Sequence, residues 1–230
     1  MTEEQHMNSS DSSWRKIAFF GRIMANVSHE FNNIITVISE LAGLLKDLTL
    51  MSQKGREIPP EKLASISENI SRQVARGKNL ITHMNRFSHS SDEPVTRVDA
   101  GQIVENMQVL TDRLFKNRQT VFSYTPSKEE CTLTTDPFEL RHIIFSCMDY
   151  FLEASSREVS MSVHRREDKG ELEWILSGKI EPAISNNIES RIAELQKQAV
   201  EINGQLDYSI HETGVQIRLI LPEEKARKNP

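Results

Sequence analysis

The chain has 230 residues and a formal charge of -5, room for one large domain or two small ones with a core in each. An acidic balance with no lysine- or arginine-rich run argues against nucleic acid as a partner. Two cysteines, Cys131 and Cys147, exclude a disulfide scaffold, no cysteine/histidine cluster suggests a metal, and no run of about 18 apolar residues could cross a membrane.

Met1 to Ser13 is polar and acidic without an apolar pattern, so residues 1–13 are expected to be a disordered N-terminus; a soluble, cytoplasmic protein is expected. From Trp14 to about Leu50 the pattern predicts one long helix. Ile17, Phe20, Met24, Val27, Phe31, Ile34, Ile38, Leu41, Leu45 and Leu48 alternate steps of three and four, the seam of a bundle helix. In that frame His29 is an f position on the outer face, and Arg22, Asn26, Asn33, Thr36 and Glu40 share its c/f stripe. The histidine is therefore expected in a polar lane that a partner can reach. Lys54 to Pro60 punctuates the chain, with Pro60 placed to open a second helix. That helix carries Leu63, Ile66, Ile70, Leu80, Met84 and Phe87, while Gln73 and Gly77 interrupt the seam and Val74 and Ile81 widen it. Two such helices leave apolar surface open, and a second copy covers it as a dimeric four-helix bundle. This helical hairpin is assigned to 14–90.

Ser88 to Pro94 reads as a linker, and a second domain is assigned to 98–222. Asp99 with Gln102 forms a capping box ahead of Ile103, Val104, Met107, Leu110 and Leu114. Strands are predicted at Val121 to Tyr124 and Cys131 to Thr134. Asp136-Pro137-Phe138-Glu139 combines an N-cap, a proline at the first helical position and a capping-box glutamate, opening a helix to about Ser155. Val159 to Arg165 and Leu172 to Leu176 alternate at period two around Lys169-Gly170, a hairpin. A helix from about Asn187 to Ile202 precedes strands at Gln205 to Ile210 and Val215 to Leu221, which flank a turn at Thr213-Gly214, and 223–230 reads as a frayed tail. The fold class is α+β, a helical hairpin followed by an α/β sandwich with a mixed sheet. No internal repeat is found.

Gly21-Arg22-Ile23-Met24-Ala25-Asn26-Val27-Ser28-His29-Glu30-Phe31-Asn32-Asn33 resembles the phosphoacceptor box of two-component histidine kinases. The resemblance implies that His29 accepts a phosphoryl group, that Glu30 positions or deprotonates it, and that Asn33 serves dephosphorylation of a response regulator. The order of elements after Asp99 is similar to the kinase ATP-binding domain, with Asp136 to Arg141 leading into its asparagine box. Here the pattern departs from the family. Ser146 and Tyr150 stand where the family has its two asparagines, the second of which holds magnesium, and a tyrosine offers no amide carbonyl. Asp149 lies about 100° around the helix and is no simple replacement. Ser177-Gly178-Lys179-Ile180-Glu181-Pro182 replaces the family's aspartate-and-glycine motif, and Ile184 to Ile188 passes into the next helix without the glycine-rich lid. With three parts of one site absent together, ATP binding is not expected. The combination resembles histidine phosphotransferases built on a kinase-like dimer, whose second domain docks response-regulator receivers.

A neutral imidazole attacks an aspartyl phosphate near pH 7 because a nitrogen lone pair is free without deprotonation. Glu30 would hold the other ring nitrogen in its protonated tautomer. Asn33, one turn on, would orient a water, and Arg22 and Asn26 would meet receiver side chains; each of these also reads as a polar residue on a solvated face. Ile23 and Ile35, off the seam, read either as receiver-binding surface or as residues buried in the bundle. His83, His89, His142, His164 and His211 read as structural or solvated. The expected function is a homodimeric histidine phosphotransferase of a phosphorelay, with no cofactor of its own and magnesium supplied by the partner. Its expected partners are receiver domains and an upstream hybrid histidine kinase. A pseudokinase or phosphatase, a divergent kinase and a non-catalytic dimeric binding module are the competing readings.

Overall fold

The structure, a computed structural model, describes residues 3–180, 188–211 and 214–223, with the side chains of all of these except 3–12 and 188. It divides after Asn85 into two compact units, residues 1–85 and 86–230.

The first unit is built from α1 (Glu3–Gln53) and most of α2 (Pro60–Ser88). Helix α1 begins at Glu3, where a disordered start was expected. An apolar face is needed to anchor a helix but not to extend one, since each added residue gains a hydrogen bond once the first turn exists. The helix ends in a Schellman turn: Arg56 N donates to Met51 O at 3.1 Å and Gly55 N to Ser52 O at 2.9 Å. Gly55 takes φ +79°, the left-handed conformation that this motif demands. Proline at the first position and Glu61 in the first turn then start α2.

Val27, Ile34 and Leu48 of the predicted seam are buried, as are Ile66 and Leu80 of α2. An alanine Cβ built on Gly77 would lie 3.8 Å from Ile34, so the glycine that interrupts the second seam lets the helices approach. At its N-terminal end the seam fails: Ile17 is 61% and Phe20 40% exposed, while Ile23, off the seam, is fully buried. On an undistorted helix Ile23, Val27 and Ile34 lie within about 20° of one line, whereas a strict seven-residue repeat drifts about 20° per heptad. Burial follows the undistorted helix.

The second unit starts with the last turn of α2 and a short 3-10 turn, His89–Ser91, where a linker was expected. It continues with β1 (Thr96–Asp99), α3 (Ala100–Asn117), β2 (Val121–Thr125), β3 (Thr132–Thr135), α4 (Pro137–Glu153), β4 (Glu158–Arg166), β5 (Glu171–Gly178), α5 (Ile188–Glu201), β6 (Gln205–His211) and β7 (Gly214–Pro222). Among the described residues, β1 and β3 form a two-stranded antiparallel sheet, and a five-stranded sheet runs in the order β2-β4-β5-β7-β6. That sheet is mixed: β2 and β4 are parallel, the remaining pairs antiparallel. Strand β1 was not predicted. The expected turn at Thr213-Gly214 falls partly outside the described residues.

Side chains alternate on the sheet as period two requires. Val159, Met161 and Val163 of β4, Leu172, Trp174 and Leu176 of β5, and Val215, Ile217, Leu219 and Leu221 of β7 are buried beneath the helices. Both predicted caps are present. Asp99 accepts from Gln102 N at 2.9 Å, and Asp136 accepts from Phe138 N and Glu139 N at 2.9 and 3.0 Å. Glu223, expected in a frayed tail, is pinned: its N–H donates to Gly170 O, its carbonyl accepts from Thr134 N, and its carboxylate pairs with Arg165. Residues 224–230 lie outside the described residues.

Candidate functional site

His29 sits in mid-helix on α1, and its side chain is exposed. Asn33 is exposed one turn further on, and Arg22 is exposed two turns before. Because residues three and four apart on a helix are neighbours, about 5–6 Å between Cβ atoms, His29 and Asn33 share one accessible patch. Thr36 and Glu40 continue it. Asn26 does not: it is 5% exposed, so the expectation that it meets a partner is corrected. It lies three residues after the buried Ile23 and next to the buried Val27, on the margin of the buried line rather than in the polar lane. Ile23 is also withdrawn from any partner surface, whereas Ile35 is 50% exposed.

Glu30 is only 15% exposed, and its carboxylate pairs with the guanidinium of Arg76 on α2. The sequence reading assigned Glu30 to the imidazole and overlooked Arg76. No local pattern marks a partner 46 residues away; the pair depends on the register of the hairpin, which the buried Ile34 and Gly77 set.

In the second unit α4 has almost no open side. Pro137, Glu139 to Phe145 and Cys147 to Leu152 are all buried, the mark of a helix enclosed between neighbours. Tyr150, which the sequence resemblance set against a magnesium ligand, is 6% exposed, and its hydroxyl finds no hydrogen-bond partner among the described residues. Burial first, and then Tyr208 of β6, push its phenol above the usual range. Asp149 and Glu153, one turn apart, both face Arg191 of α5, at 3.8 and 2.6 Å. Gly178, at the end of β5, packs on α4 so tightly that an added Cβ would lie 2.6 and 2.9 Å from ring carbons of Phe151. Its missing side chain serves the core. His142, also in α4, is buried and 3.4 Å from Glu139, a structural contact. Among the described residues no three His, Cys, Asp or Glu side chains gather to hold a metal ion, and no helix is long and apolar enough to cross a membrane.

A mixed sheet with helices stacked on one face defines the class of fold: the second unit has the α/β architecture of a histidine kinase ATP-binding domain. The chain is similar to the nucleotide-free catalytic domain of the histidine kinase ThkA, with a TM-score of 0.50 and 12% identity over 57% of this chain and 99% of that one. It is also similar to the ATP binding domain of PrrB from Mycobacterium tuberculosis, with TM-score 0.49 and 16% identity over 58% and 100%. Histidine kinase ThkA in complex with the response regulator protein TrrA gives TM-score 0.49 and 15% identity over 100% of this chain and 69% of that one. At such identity the likeness is one of fold alone. No family model matches the sequence, and no curated protein does.

Proposed function

We propose that this chain is a histidine phosphotransferase of a two-component phosphorelay, working as a homodimer that takes a phosphoryl group on His29 from one receiver aspartate and passes it to another. The observation that carries this reading is an exposed histidine in mid-helix, inside a box that resembles the family's phosphoacceptor, with a polar patch around it. In the forward step a lone pair on one imidazole nitrogen attacks phosphorus. The N–P bond forms, the bond from phosphorus to the aspartyl oxygen breaks, and that electron pair stays on the receiver carboxylate. The other ring nitrogen keeps its proton, and the second receiver's carboxylate reverses the sequence. Magnesium in the receiver's own acidic pocket offsets the transferring charge.

We further infer that the phosphoryl group does not come from nucleotide. A triphosphate with magnesium needs an open helix face and an amide ligand, and neither fits the enclosed α4 with Tyr150 6% exposed and Arg191 held against Asp149. On this reading the second unit is a docking platform. Homodimerisation is supported by Ile35, Leu63, Val74 and Ile81, large apolar side chains of the hairpin that a single chain leaves 39–50% exposed.

The test is transfer itself. A radiolabelled receiver domain mixed with this protein is expected to yield acid-labile label on the chain, lost in His29→Ala; label that never leaves the receiver rules the shuttle out. A second reading, a receiver phosphatase, is favoured by the exposure of Asn33. It predicts free phosphate instead, still released by His29→Ala and reduced in Asn33→Ala.

A further inference from the structure

The ion pair between Glu30 and Arg76 joins two helices at the residue that follows His29, with Glu30 15% and Arg76 47% exposed. Isolated surface pairs contribute little to stability, so fold maintenance is a weak explanation for it. Its placement affects the chemistry more directly. A carboxylate on the residue next to the acceptor histidine repels any incoming phosphoryl group, which carries close to two negative charges. An arginine bound to that carboxylate cancels its charge and leaves most of the five guanidinium N–H donors for other oxygens.

We propose that Arg76 is a positioning residue for phosphoryl transfer at His29: it draws the Glu30 carboxylate toward α2 and neutralises it, opening the imidazole to a dianionic phosphoryl group. This rests on His29 being the acceptor proposed above. The bond changes are those of that step, N–P formation with loss of the donor's bond to phosphorus. Arg76 touches neither reacting atom and acts through Glu30.

Potassium phosphoramidate, a small anionic donor of phosphoryl groups to histidine, tests the proposal without any receiver. Attack by the imidazole forms the N–P bond and releases the donor's amine as ammonia. Label on His29 is followed against time in the full chain, with His29→Ala marking the background. Arg76→Ala is expected to slow labelling about tenfold, the effect of one uncompensated unit charge about 6 Å from a dianion in water. Arg76→Lys is expected to stay within about threefold of the parent, because it keeps the charge, and Glu30→Gln/Arg76→Ala within about twofold of Glu30→Gln alone, because the repelling charge is already gone there. Parent-like labelling of Arg76→Ala overturns the proposal. So does an equal slowing by Arg76→Ala in the parent and in the Glu30→Gln background, since Arg76 would then not act through Glu30. Should Arg76→Ala lower the melting temperature, Arg76→Gln set against Arg76→Lys makes the same comparison with the side-chain length kept. If no receiver passes label to His29 while Arg76→Ala still slows phosphoramidate, the shuttle is lost and the role of Arg76 stands.

Discussion

Gly178→Ala probes whether the strand-end glycine of the second unit serves packing. The new methyl carbon would sit 2.6 and 2.9 Å from two ring carbons of Phe151 and 2.9 Å from Ser156 Oγ, where ordinary contact begins at 3.4 Å. Phe151 is fully buried and Ser156 1% exposed, with its hydroxyl donating to Glu158 O at 2.8 Å, so neither can swing into solvent. The ring must retreat by several tenths of an ångström into a packed core, at a cost of about 1–3 kcal/mol. Each kcal/mol lowers Tm by about 2–4 °C in a unit of this size. Trp174, fully buried on β5, reports on this unit, and Trp14→Phe removes the other tryptophan, which is 69% exposed on α1. The urea midpoint of Trp174 fluorescence should fall in Gly178→Ala and recover by at least about 1 kcal/mol when Phe151→Leu removes the clashing ring atoms. An unchanged midpoint in Gly178→Ala would refute the reasoning. Labelling of His29 by phosphoramidate should be the same in both variants.

Tyr150→Phe removes a buried hydroxyl that lacks a partner among the described residues, and should raise the stability of the second unit by about 1 kcal/mol, read from the same urea curve; a loss of stability would mean that the hydroxyl is satisfied. Tyr150→Asn introduces the amide that the sequence resemblance expects at this position but leaves α4 enclosed, so magnesium-ATP should still give no thermal shift. Full burial pushes the Cys147 thiol up to about 12, so the folded state keeps a proton that the unfolded chain loses near 9. The stability this contributes is fully present below pH 9 and lost as pH rises toward 12. Tyr124, raised to about 12 by burial and then by Glu105 and Asp99, adds to the loss between pH 10 and 12. Urea midpoints from pH 8 to 11 should therefore fall, less steeply in Cys147→Ala; equal slopes would show that the thiol is not responsible.

Elements whose signal is local were legible. The two caps are set by residues two and three positions apart, the long helix α1 by steps of three and four, and the β4–β5 hairpin by alternation around Gly170, whose φ of +61° suits a glycine. Strand β1 was not, because four residues carry too little pattern, and its partner lies on β3, with Thr96 opposite Thr135. The outward direction of His29 follows from the heptad, and the structure exposes it. The burial of Asn26 does not follow, since the heptad frame drifts away from an undistorted helix over so long a span.

What the sequence determined by itself is therefore the order of the helices and of the strands other than β1, and the outward face that bears His29, because these depend on neighbours within a turn or two. Only the tertiary structure decided that α4 is enclosed on nearly every side, that Gly178 fits against Phe151, and that Glu30 faces Arg76. Each of those depends on segments brought together over tens of residues, where helix packing and strand register set the distances and no short-range pattern records them.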